Sequence, residues 1–185
     1  MTTRALGLIA GALVCAACDV PISGYYVERG SQLYGAGRYS EATTAYRKAI
    51  KVLPENGPAR VGLGNALWKL GQREECLQVH DEAMVVAPDY APAYTGKAFY
   101  LVQMNRRDEA ITVLEKLAER QPNARLLAHI GLLFLDVQRH ADAVRALREA
   151  VSMDPRVATE MPRVRAGLEE AEASLRREEH QGQRE

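Results

Sequence analysis

From residue 23 onward, small, large apolar and polar positions recur along the chain with a fixed period. Pro54, Pro88 and Pro122 stand 34 residues apart, and Pro155 follows 33 later. Upstream of each proline, Gly30, Gly64, Ala98 and Gly131 form a column of small residues, with Leu33, Leu67, Leu101 and Phe134 as a large apolar column three positions on. A second small column, Ala42, Cys76, Ala110 and Ala143, precedes Tyr46, His80, Leu114 and Leu147, and Ala49, Ala83, Leu117 and Ala150 complete the set. A shared phase across four copies marks a repeat array, and the spacing of three and four between columns marks its unit as helical. Each copy reads as a hairpin of two antiparallel helices: small residues let the helices approach, and bulky neighbours a turn away fill the gap. The turn between helices is predicted at Gly37, Gly71, Asn105 and Gln138. Gly and Asn suit the left-handed conformation that ends a helix, whereas Gln suits it less, so the fourth turn is expected to be looser. Each recurring proline then stops the second helix.

After Pro155 a final helix is predicted from about Glu160, with Thr159 as its cap and Pro162 in its first turn. Met161, Val164, Leu168, Ala171 and Leu175 alternate in steps of three and four, which gives one apolar stripe. Two readings of that helix stand: a cap covering the last hairpin, which an open-ended array needs, or a surface for docking a partner or a second copy.

The first 18 residues follow a different pattern. Arg4 is the only charge before Asp19, and Ala5 through Ala17 is an unbroken small and apolar stretch. A basic start, an apolar middle and small residues at the end are the layout of a secretory signal, and the stretch is short for a membrane span. The alternative is a buried N-terminal helix. The leader ends Cys15-Ala16-Ala17-Cys18, which resembles the bacterial lipobox with Cys18 as the lipidated residue, although Cys15 stands where an aliphatic residue is usual. Ordinary cleavage to a soluble periplasmic protein is the other outcome.

Composition narrows the function. Twenty-four basic and 24 acidic residues cancel, so no basic face for nucleic acid is expected. Beyond Cys15 and Cys18 the one thiol is Cys76, in a column otherwise filled by Ala, and it reads as a packing residue. The four histidines have neither the spacing nor the neighbours of a metal site, and Gly62-Leu63-Gly64 is a fragment of no phosphate loop. No catalytic residue, cofactor, metal or small-molecule substrate is expected.

The repeat columns resemble the tetratricopeptide repeat family over residues 23–157. Gly-Arg-Tyr at 37–39 and the pair Ala42 and Tyr46 match it closely, and its opening aromatic is present as Tyr26 and Tyr94 but replaced by Arg60 and Leu127. The resemblance implies an all-α, right-handed superhelical solenoid of four helical hairpins, at residues 23–56, 57–90, 91–123 and 124–157. Around it are expected a signal peptide at 1–18, a linker at 19–22, a capping helix at 158–178 and a disordered tail at 179–185. It further implies that the first helix of each hairpin lines an inner groove that receives an extended or helical peptide. The stripe opposite the packing columns would supply the binding residues: Tyr34 (with Val27 and Ser31) from the first hairpin, Val61, Asn65, Trp68 and Lys69 from the second, and Thr95, Phe99, Val102 and Gln103 from the third. The fourth would add Ala128, Leu132, Leu135 and Asp136, with Leu132 and Leu135 expected to pack against the terminal helix. Asn65 matches one half of a family clamp for a C-terminal carboxylate, but Val61 replaces the partnering Lys, so that clamp is not expected. The groove reads as apolar, with Trp68 and Phe99 as anchors; packing between repeats is the alternative for Trp68.

A lipobox-like leader, a short linker, adjacent repeats and a terminal helix together resemble the lipoproteins of type IV and tight-adherence pilus assembly. That likeness implies a periplasm-facing scaffold, anchored by lipid to the outer or inner membrane, whose protein partner is a secretin subunit. The alternative is an envelope adaptor for cell-wall enzymes or for outer-membrane barrel assembly.

Overall fold

A computed structural model of the chain describes residues 16–182, with side chains for residues 20–178 and His180. The greater part of the expected leader, including Cys15, and residues 183–185 of the expected tail lie outside the described residues. Every element described is a helix: α1 (Ala16–Gly35), α2 (Tyr39–Val52), α3 (Gly57–Lys69), α4 (Arg73–Val86), α5 (Ala91–Gln103), α6 (Arg107–Arg120), α7 (Ala124–Asp136), α8 (His140–Met153), α9 (Val157–Glu160) and α10 (Pro162–Gly182). The fold is all-α, built of consecutive helical hairpins closed by a terminal helix. The chain forms two compact units, one holding α1–α4 and the other, from Ala91, holding α5–α10.

The sequence columns explain each hairpin. Gly30, Gly64 and Gly131 lie directly against Tyr46, His80 and Leu147 of the facing helix, and a Cβ at Gly30 or Gly131 would come within 2.7 Å of that partner. Glycine is therefore required by contact at these positions. Cys76, Ala42, Ala110 and Ala143 are completely buried at the matching positions of the second helices. All four inter-helix turns close identically. Gly37, Gly71, Asn105 and Gln138 have φ of 74°, 79°, 60° and 60°, and each turn makes the paired backbone bonds of a Schellman motif. In the first, Arg38 N donates to Leu33 O (2.9 Å) and Gly37 N to Tyr34 O (3.0 Å); in the fourth, Arg139 N donates to Phe134 O (2.8 Å) and Gln138 N to Leu135 O (2.9 Å). The looser fourth turn expected from Gln138 is thus corrected: the two hydrogen bonds hold it in the same geometry as its glycine counterparts.

The residue after each turn residue occupies the N-cap position of the second helix without bonding its backbone through the side chain, and meets an acid three positions on. Arg38 bonds Glu41 (2.5 Å), Gln72 bonds Glu75 (3.2 Å), Arg106 bonds Glu109 (2.5 Å) and Arg139 bonds Asp142 (2.8 Å). The acids sit in the first turn, where the helix dipole favours negative charge. The bonded arginines hold Glu41 and Glu109 below the usual carboxylate range.

Both ends depart from the sequence expectation. Residues 19–22, expected as a linker, are helical: α1 runs through Pro21, whose ring φ is compatible with a helix although its missing N–H forfeits one backbone bond. The expected cap Thr159 instead donates to Arg156 O (2.9 Å) within the short α9, and α10 starts at Pro162. The tail expected to be disordered from residue 179 continues α10 to Gly182. Glu179 and Gln181 are good helix formers, and the preceding Glu178 is held against α8 by His140 Nδ1 at 2.8 Å.

Candidate functional site: the first-helix stripes of the two units

In the α1–α4 unit the stripe is polar and aromatic. Tyr46 lies in the plane of contact between α2 and both first helices, its ring against Gly30 and Gly62. Its hydroxyl bonds Ser31 on the stripe, and burial raises its pKa above the ordinary value despite that bond. Tyr34 stacks edge-on against Tyr39, with ring centroids 5.3 Å apart. Val61, Asn65 and Trp68 of α3 are half-buried, and Lys69 is exposed at the helix end. Trp68 has the Arg73 guanidinium 5.4 Å from its ring centre, a cation–π contact that ties it to the start of α4.

In the α5–α10 unit the stripe becomes a hollow of about 520 Å³. Phe99 and Val102 of α5 form one wall, and Leu126, Leu132 and Leu133 of α7 the other, with Ala98 and Leu114 beneath. The rim is polar: Thr95, His129, Asp136 and, from the terminal helix, Arg163. A second hollow of about 340 Å³ shares Thr95, Leu126 and His129 and runs on to Ala91, Gln121 and Asn123. The two make one continuous groove along α7. Phe99 is 56 % exposed in the α5 wall, a large apolar side chain left open on an apolar concavity. Gln103 is exposed in the last turn of α5, outside the lining.

The fourth-hairpin stripe is largely closed. Ala128 is fully buried, and Leu135 lies against Gly167, where a Cβ would approach it to 2.7 Å. Both belong to the core that α9 completes with Val157 and α10 with Val164 and Leu168. Ala128, expected on the open stripe, is thereby corrected to core: the terminal helix occupies the place a further hairpin would take. Only Leu132, in the groove wall, and Asp136, at its rim, contribute to the site.

Sequence reasoning missed Leu126, His129, Leu133 and Arg163. The first three sit on the side of α7 that turns towards α5. The signal was available in α7 itself, where seven of thirteen residues are Leu, Ile or Phe, on more than one face. Arg163 gives no sequence signal, because its place depends on how α10 docks.

The rim charges are nearly balanced. Arg163 reaches Asp136 at 3.5 Å, and Arg125 pairs with Glu160. Burial by the groove walls, and then the Arg125 charge, hold His129 below its ordinary pKa of 6.5, so the imidazole is neutral at neutral pH. Elsewhere the buried His80 ring meets Cys76 O at 2.9 Å, and burial pushes the Cys76 thiol up to about 12, which leaves almost no thiolate. Among the described residues, no group of three or more His, Cys, Asp or Glu is placed to hold a metal ion. Cys18 stands in the first turns of α1, and its side chain lies outside the described residues.

Comparison with known proteins agrees with this architecture. One tetratricopeptide repeat model matches residues 33–84 and another matches residues 96–158, between them more than half of the chain. A MamA structure (AMB-1) is 23 % identical with a TM-score of 0.63, covering 88 % of this chain and 86 % of its own. Another crystal structure of MamA is 20 % identical with a TM-score of 0.61, covering 85 % and 90 %. YrrB, described as a TPR protein with an unusual peptide-binding site, is 15 % identical with a TM-score of 0.62, covering 82 % and 76 %. At these identities the likeness is one of fold. No curated protein sequence matches the chain significantly. The repeat models and the four identically closed hairpins together establish that the chain belongs to the tetratricopeptide repeat family, a family of protein-interaction scaffolds.

Proposed function

We propose that this protein is a non-enzymatic scaffold of the bacterial envelope that receives a peptide or helix of a partner protein in the groove between α5 and α7. The observation that carries this reading is Phe99, exposed over more than half its surface in the wall of an apolar, polar-rimmed concavity. A large exposed aromatic facing an apolar wall is an arrangement in which a few residues dominate binding, since a partner side chain inserted between them is desolvated. A neutral His129 and the self-paired Asp136 and Arg163 leave the rim without strong charge, which favours an apolar anchor over a charged one.

The envelope placement rests on the leader-like N-terminus and on Ala16-Ala17-Cys18, read as a lipidation site. The partner we propose is a secretin subunit of a pilus machine, a choice supported by the likeness of the domain layout to pilus lipoproteins.

A photo-crosslinking residue in place of Phe99, in the source organism, tests the reading, with one in place of the outward-facing Val85 as control. An adduct from position 99 alone, containing a secretin or other pilus-machine subunit, is the expected result. Equal labelling at both positions, or none, counts against the groove; an adduct with a cell-wall enzyme or a barrel-assembly protein replaces the pilus assignment with the adaptor reading. Separately, Cys18→Ala is expected to release the protein from membranes, and full membrane retention with an uncut leader contradicts lipidation.

A further inference from the structure

We propose that the outer stripe at the start of α1 rests on an anionic phospholipid surface, an inference that uses the reading of Cys18 as the anchor. Of the seven large hydrophobic residues exposed among the described residues, three are Val20, Ile22 and Tyr25, at 59 %, 46 % and 64 % exposure. Such clustering at one end of one helix is unlike the scattered apolar residues of an ordinary surface.

Their register gives the stripe a direction. Cys18, Ile22, Tyr25 and Arg29 follow in steps of four, three and four along α1, which at 100° per residue keeps them within about 60° of one another. Position 18 is one turn, about 6 Å of helix rise, before Ile22. Position 18 therefore shares the helical register of the exposed Ile22 and Tyr25. Val20 lies on the other side of the same first turns, next to the acidic Asp19, so the lipid-facing stripe is the one that carries Ile22 and Tyr25.

The charge beside this stripe has the sign that lipid phosphate requires. A hollow next to it is lined by Tyr25, Tyr26, Arg29, Leu33, Glu41 and Lys48. Its one acid, Glu41, is already held by two bonds from Arg38, each 2.5 Å. Arg29, whose charge also acts on Glu41, and Lys48 line this face, with Lys48 5.7 Å above the Tyr26 ring. Apolar tips, an exposed tyrosine at headgroup depth and adjacent basic residues are the pattern of a helix lying in a membrane interface. No helix among the described residues is long and apolar enough to cross a membrane, so the contact is with the surface.

The test places the only tryptophan at the stripe. In the full chain carrying Trp68→Phe, Tyr25→Trp is compared with Val85→Trp on vesicles of phosphatidylglycerol and phosphatidylethanolamine containing brominated lipid. The proposal expects the brominated chains to quench position 25 at least threefold more than position 85. It also expects Arg29→Glu with Lys48→Glu to remove most of that difference. Equal weak quenching at both positions while the protein stays on the vesicles overturns the proposal and leaves the lipid anchor standing. No association with vesicles at all overturns the anchor as well. A quenching-insensitive position 25 whose emission changes with protein concentration overturns the proposal too, and assigns the stripe to a second copy of the chain.

Discussion

The α1–α4 unit and the α5–α10 unit are made by the same rules and end with different working faces. Both close their hairpins with Schellman turns, both set a small residue against a bulky one within a hairpin, and both place an acid opposite the second-helix cap. Yet the first presents hydroxyls, an amide and a guanidinium-covered Trp68, while the second opens an apolar groove around Phe99. The packing positions define the hairpin and leave the outward positions of its first helix unconstrained. Function on such a fold is thus a property of the lining and has to be argued from it.

The shared frame is tested by the largest effects. Tyr46→Ala and Leu147→Ala each remove the bulky member of a small–large contact, in one unit and in the other. Each is expected to cost about 3–5 kcal/mol in denaturant unfolding, because glycine opposite leaves nothing to fill the cavity. A loss below about 1 kcal/mol in only one unit would show that the two do not share a packing principle.

A smaller contrast lies in the turns. The first unit uses glycine at Gly37 and Gly71, where a Cβ would meet nothing within 4 Å, so glycine serves conformation there and not space. The second uses Asn105 and Gln138 in the same left-handed region. Gln138→Gly is expected to stabilise by about 0.5–1 kcal/mol, and Gly71→Ala to destabilise by about 1 kcal/mol. Opposite signs in the denaturation midpoints are the check; equal signs would mean that the side chain of Gln138 adds contacts that offset its strain.

The smallest expected effect comes from His129. Its folded pKa is below 6.5, so above that pH it is neutral in both states and contributes nothing. As pH falls through 6.5 towards the folded value the unfolded chain binds the proton first, and stability is lost over that window. Melting between about pH 8 and pH 5.5 is expected to fall slightly more steeply for the wild type than for His129→Gln, with most of the difference below the ordinary histidine pKa.

How far the sequence carries this picture depends on whether a position answers to its own hairpin or to a neighbour. Columns such as Gly30 with Tyr46, or Gly131 with Leu147, are decided within one hairpin and repeat with the period, so they can be read directly. Gln138 departs from expectation because propensity weighs the residue alone, while two backbone hydrogen bonds fix its φ. Periodicity puts Ala128 on the open stripe, but the terminal helix breaks the period and buries it. Arg163 and Leu133 enter the groove only through the docking of α10 and the side of α7 that turns towards α5, and periodicity records neither. The polar character of the first unit is legible from Ser31, Tyr34 and Asn65, though treating the stripe as one apolar groove obscures it.

The most direct test of the central claim is the binding of the crosslinked partner segment to Phe99→Ala and Trp68→Ala proteins, measured by titration beside their melting curves. The account predicts a tenfold or greater loss for Phe99→Ala, about 1.4 kcal/mol or more, with unchanged melting. For Trp68→Ala it predicts a lower melting temperature, through loss of its contact with Arg73, and a change in affinity below about threefold. The reverse pattern, with affinity lost at Trp68 and kept at Phe99, would contradict the account and move the binding face to the α1–α4 unit.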